Sequence, residues 1–198
     1  MKKKSWYNLI LIIIILACII LLVLQNFSSI TGHATSGTAD SNVTISKFLS
    51  IELSTNLSSG IPFGSVSTLP ATNINSTHNF DGNESETETS MFINVSTDSN
   101  TNVDFCIKAN ASLTSPDLDV IGLDNETYAN STNTNISFPA VGSEVSLTTD
   151  YVKAGGSIEE GYAAFYRFWL DIPAAQPSGD YVNKIYFKGV ETGQVCGT

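Results

Sequence analysis

The stretch GYAAFYRFWLDIP, residues 161–173, sets the terms for the whole chain. Tyr162, Ala164, Tyr166, Phe168, Leu170 and Ile172 share one parity, while Ala163, Phe165, Arg167, Trp169 and Asp171 share the other. A period of two is the signature of a β-strand, because successive side chains point to opposite faces of a sheet. This reads as a long central strand with one fully apolar face. Other segments alternate in the same way. NVTISKFLSIELS sets Val43, Ile45, Leu49, Ile51 and Leu53 on one side, with a bulge predicted at Lys47 and Phe48. SMFINVS groups Met91, Ile93 and Val95, and NVDFCIKAN groups Val103, Phe105, Ile107 and Ala109. The turn-rich link TDSNTN between these two predicts a hairpin. SEVSLTT offers Val145 and Leu147, and DYVNKIYFKGV turns Tyr181, Ile185 and Phe187 inward. Beyond residue 27 no helix of ordinary length is predicted. Strands separated by turn chemistry imply an all-β, antiparallel β-sandwich over 42–198. Two longer loops, near 70–89 and 112–141, hold most of the Asn, Ser and Thr.

The N-terminus has a different character. Leu9 to Leu24 is an unbroken apolar run, preceded by Lys2, Lys3 and Lys4 and bracketed by Trp6 and Phe27. As a helix, residues 6–27 rise about 33 Å at about 1.5 Å per residue, matching a hydrocarbon core of roughly 30 Å. The lysines place the N-terminus in the cytoplasm, and the rest of the chain outside the cell. The nearest small-x-small site, Gly32-His33-Ala34, lies far beyond the apolar run. This favours an uncleaved signal anchor (1–27) over a cleaved leader. Residues 28–41, small and polar, read as a flexible stalk.

Composition supports an exterior location. The formal charge is −10, and beyond the three leading lysines 6 basic residues face 19 acidic ones, a net −13. Such a body repels nucleic acid and anionic membrane. Asn-x-Ser/Thr triplets begin at Asn42, Asn56, Asn75, Asn83, Asn94, Asn110, Asn125, Asn130 and Asn135. Random placement of the exterior Ser and Thr would give about four, so the excess marks these asparagines as candidate N-glycan sites. By parity, Asn42, Asn94 and Asn110 fall on the solvent side of their strands. The segment NETYANSTNTNIS, 125–137, reads as the outer half of a sugar-covered loop. Asn26 also begins a triplet, but it abuts the membrane segment.

Cys106 and Cys196 form an even exterior pair, expected to be bridged in an oxidising compartment. Cys106 shares the polar parity of its strand, so the bridge would pin the C-terminal tail to the outside of the sheet. Cys18 lies inside the apolar run. Candidate chemistry is sparse. His33 and His78 have no Cys or His at ligand spacing, and no phosphate-binding glycine loop or hydrolase motif occurs. Asp117, Asp119, Asp124 and Glu126 are a weak calcium candidate against the plainer reading of a solvated acidic loop. Arg167, the sole arginine, shares its face with Phe165 and Trp169; either a loop or partner covers that face, or the guanidinium reaches water. No cofactor and no catalysis are expected.

GIPFGSVSTLP together with FWLDIPAAQPSGDYVNKIYF, above all the Pro-x-x-x-Pro-x-Gly-x-Tyr run at 173–181, resembles immunoglobulin-like sandwich domains of prokaryotic envelope proteins. With the lysine-led anchor and dense triplets, the chain resembles small archaeal cell-surface proteins. The resemblance implies a single-pass, glycosylated envelope or adhesion protein. Its partners would be the membrane through residues 6–27, envelope proteins, glycans or further copies, and not nucleic acid. A second expectation is a fibre subunit in the style of camelysin-like matrix proteins, donating an N-terminal strand from residues 28–54 to a neighbour.

Overall fold

The computed structural model describes residues 3–27, 40–79 and 88–197. Most of the predicted stalk, with His33, and the triplet at Asn83 lie outside these residues. The chain divides into two units, Met1–Thr44 and Ile45–Thr198. In the first, helix α1 spans Lys3–Phe27. Its segment Trp6–Leu24 has a mean hydropathy of 3.2 and is long and apolar enough to cross a membrane.

The second unit is mostly antiparallel strands. Its largest sheet is built around β10, Ala163–Ile172. One edge of β10 pairs along six residues with β7, Glu126–Ser131. β7 in turn pairs with β8, Val145–Ser146. The other edge of β10 is long enough for two partners in succession. Residues 163–165 pair with β3, Phe92–Val95, which carries β1, Ile51–Leu53. Residues 169–172 pair with β2, Ala71–Asn75. Between the two partners the Asn79 side chain replaces a strand. Its Nδ2 donates to the Phe168 carbonyl (2.6 Å) and its Oδ1 accepts from the Phe168 N–H (2.9 Å). A primary amide carries the same donor and acceptor as a peptide, so the ladder of β10 continues through the gap.

A three-stranded sheet runs β11–β4–β9, with β4 at Val103–Ala109, β9 at Val152–Ile158 and β11 at Ile185–Glu191. A two-stranded ribbon pairs β5, Leu113–Thr114, with β6, Val120–Ile121. One apolar cluster joins Val103, Phe105, Ile107 and Ala109 of β4 to Ile93 and Val95 of β3, Tyr128 of β7, and Ala164, Tyr166 and Phe168 of β10. The two larger sheets thus share a core. Tyr166 also links them by a polar bond, its hydroxyl donating to the Ala154 carbonyl at 2.8 Å. Gly189 permits a close approach to β11: a Cβ there would lie 2.8 Å from Ile51 Cγ2 and 3.1 Å from Val103 Cγ1.

The central strand and its apolar face are as expected at Ala164, Tyr166, Phe168 and Leu170, although Tyr162 is exposed. Four expectations are corrected. The 91–95 and 103–109 strands form no hairpin: β3 pairs with β1 and β10, whereas β4 pairs with β11 and β9. Their turn-rich link is an arch between sheets, and turn chemistry alone does not distinguish an arch from a hairpin. Of the 42–53 strand only Ile51–Leu53 is regular, and Val43 and Ile45 are 85% and 77% exposed. Backbone groups at 46, 48 and 50 bond instead to the 96–100 turn, through Asn100, Ser99 and the Ser96 N–H. The polar segments at 70–89 and 112–141 contain β2, β5, β6 and β7. Most consequentially, NETYANSTNTNIS is not an outer loop over its first half. Residues 126–131 form a strand against β10, with Glu126, Tyr128 and Ala129 buried.

Candidate functional site

Three groups of residues carry the polar chemistry of the second unit and of the residues just before it. The first is the set of triplet asparagines. Asn42, Asn110, Asn130 and Asn135 are exposed, and Asn56, Asn75, Asn94 and Asn125 are half-exposed; none of these eight is buried. Asn94 lies on β3 between the buried Ile93 and Val95 and faces away from them. Several already make local bonds. Asn110 Oδ1 accepts from the Lys184 N–H (2.7 Å) and Asn135 Oδ1 from the Ser137 N–H (2.7 Å). Asn125 Nδ2 donates to Asp124 Oδ1 at 3.1 Å.

The second is an open groove of about 1150 Å³. It is walled by residues 57–69 on one side and 176–187 on the other, with Leu113, Ile121 and Leu170 in its floor. Glu126 of β7 also lines it and is 2% exposed. The carboxylate accepts from Asn183 Nδ2 at 2.6 Å. Burial pushes the Glu126 carboxyl up to about 7, and the Asn183 bond offsets only part of that rise. Sequence reading placed Glu126 in a possible calcium set. It is instead a buried acid beside an apolar groove, while Asp117 and Asp124 are exposed and Asp119 is half-buried. Among the described residues no three His, Cys, Asp or Glu side chains converge on a metal position. The only sequence signal for this role was strand parity, with Glu126 two residues before Tyr128 on the inward side.

The third group clamps the C-terminal tail to the outer face of β4. Cys106 and Cys196 lie at disulfide distance, with Cα atoms 5.8 Å apart. Cys106 has the outward parity expected of it, yet it is fully buried, because the tail covers it. Asp104, two residues earlier on the same face, is 1% exposed. It accepts from Lys153 Nζ (2.7 Å), the Ser157 N–H (2.8 Å), the Gly193 N–H (3.1 Å) and Thr192 Oγ1 (3.3 Å). Burial alone would raise this carboxyl, but the Lys153 ammonium and the two backbone donors outweigh it and hold it below the usual carboxylate range.

Arg167 is enclosed by the 132–140 segment rather than open to water. It donates from Nη1 to the Pro139 carbonyl (3.1 Å) and from Nη2 to the Asn135 carbonyl (2.7 Å). His78 is half-buried, and its backbone carbonyl accepts from Thr89 Oγ1 at 3.1 Å. No protein-family model matches the chain, and no curated protein matches it.

Proposed function

We propose that the chain is a membrane-anchored, N-glycosylated cell-envelope protein, single-pass, with its N-terminus cytoplasmic and an immunoglobulin-like β-sandwich outside. Its role is structural or adhesive, in the manner of small archaeal-type surface proteins, and it performs no catalysis. One observation carries this reading. A helix of membrane length precedes a domain in which all eight described triplet asparagines stand exposed or half-exposed. A glycan requires such positions. The shared core of two antiparallel sheets supports the sandwich, and the Cys106–Cys196 pair suits an oxidising exterior. The test is mass spectrometry of glycopeptides from protein taken from native membranes. Hexose-bearing peptides at several of the nine asparagines are expected; uniformly unmodified peptides would sink the glycoprotein reading.

A second reading is a fibre subunit assembled by strand donation. What favours it is the exposed alternation of Val43 and Ile45 with Asn42, Thr44 and Ser46, an apolar stripe unburied within its own chain. Engineered cysteines at residue 43 and along the groove should then cross-link between chains, and purely intramolecular products would remove this reading.

A further inference from the structure

Six basic residues lie beyond residue 40: Lys47, Lys108, Lys153, Arg167, Lys184 and Lys188. Arg167 is buried, and Lys47 is paired with Glu191. The other four project from a single surface. In the β11–β4–β9 sheet, Cys106 stands opposite Lys188 on one side and Lys153 on the other, and Lys108 stands opposite Tyr186. Directly opposed residues share a face, and so does Lys184, two residues before Tyr186. Lys153 is taken up by Asp104. Lys108, Lys184 and Lys188 remain. Lys108 Nζ lies 4.6 Å and Lys188 Nζ 4.3 Å from the centre of the same Tyr151 ring. Two like charges thus share one aromatic ring rather than dispersing. Asp150, exposed and next to Tyr151 in the sequence, sets one carboxylate against the three lysines.

Opposite charge collects at the far end of the same strands. β9 leads away from the lysines to the turn Glu159-Glu160-Gly161, about 20 Å along at about 3.3 Å per residue. That turn abuts the 96–100 turn: the Gly161 N–H donates to the Val95 carbonyl at 2.9 Å. Asp98, Glu159 and Glu160 are all exposed there, beside Tyr162 at 66% exposure.

The geometry points to a head-to-tail contact between copies of this chain, the Lys108–Lys184–Lys188 face of one against the Asp98–Glu159–Glu160 turns of the next. The two patches differ in kind and occupy different parts of the surface, so the contact is heterologous and builds chains or rings of copies. Three lysines meet three carboxylates, and an exposed tyrosine accompanies each set. This occupant is favoured over an anionic polymer because the chain itself carries the complementary patch. Asn110 borders the lysines through its bond to the Lys184 N–H, so the contact needs Asn110 free of sugar.

The experiment uses the full chain in detergent with Ser112→Ala, which removes the Asn110 triplet without altering Asn110. Sedimentation velocity is run from micromolar to 100 µM total protein, concentrations on the order of weak surface contacts. Concentration-dependent chains are expected. Lys184→Glu with Lys188→Glu should weaken association at least about tenfold, as should Asp98→Lys with Glu159→Lys and Glu160→Lys. Mixing the two variants should restore it, because each new patch then meets its complement. Ser112→Ala protein without self-association overturns the proposal, as does loss on both reversals with no recovery in the mixture. Loss on lysine reversal alone also overturns it, because the lysines then meet a different part of the neighbouring copy.

Discussion

Asp104 and Glu126 are both carboxylates on strands, both all but sealed from water, and they are pushed in opposite directions. Asp104 faces outward under the C-terminal tail and receives four donors, one of them a lysine. Glu126 faces the apolar groove and receives Asn183. Burial raises both carboxyls; at Glu126 that rise prevails over the single Asn183 bond, and at Asp104 the lysine and the backbone donors outweigh it. The tail clamp is therefore a region held by ionisation, while the groove carries an acid whose ionisation works against the fold.

That contrast can be broken at several points. Replacing Cys106 and Cys196 with alanine opens a bridge with a sequence separation of 90. In the chain-entropy picture it should lower unfolding free energy by up to about 4–5 kcal/mol, read from the shift in urea midpoint. Asp104→Ala leaves the Ser157 and Gly193 N–H groups without their acceptor. It should cost about 2–4 kcal/mol and accelerate hydrogen exchange at Gly193. Because Asp104 is lowered from an ordinary value of 3.8, its stabilisation is present above that pH. It is lost as pH falls through the lower folded value, so wild type and Asp104→Ala should converge in strong acid.

Glu126 runs the other way. Its folded value of about 7 lies above the ordinary 4.5, so stability is greatest below 4.5 and declines as pH rises through 7. Glu126→Gln should flatten that decline and gain up to about 3 kcal/mol at pH 8, visible in thermal melts across that range. An unchanged profile would refute the assignment of Glu126 as a buried, proton-holding acid. Lys153→Met should have the smallest effect, about 0.5–1 kcal/mol. Its side chain is 54% exposed, and the backbone donors still hold Asp104.

How far each region was legible follows from what periodicity can encode. β10 announced itself because ten residues alternate large apolar groups against mixed ones. β7 did not, because Glu126–Ser131 offers Tyr128 and Ala129 amid Asn, Ser and Thr. A polar strand in the interior of a sheet looks like a loop until its neighbours are known. β9 was silent for a related reason: Ala154, Gly155 and Gly156 supply no bulk to alternate. A Cβ at Gly155 would meet Phe105 at 3.3 Å, so the absence of bulk is what lets β9 pass over the core. At the candidate sites, the cysteine pair and the outward parity of Asn94 and Asn110 were readable. The role of Asn79 as a stand-in for a strand was not, since its partner, Phe168, is 89 residues away.

The sequence by itself determined the local properties: an apolar helix of membrane length, the inward face of β10, the acidic balance, the triplets and the matched cysteines. Each is written in adjacent residues, where spacing and polarity suffice. Tertiary structure alone decided which strands share a sheet, which carboxylate is ionised, and that four scattered lysines stand on one face. Those outcomes depend on register between residues 45 to 88 apart in the sequence, and register is set by how the sheets close over their common core.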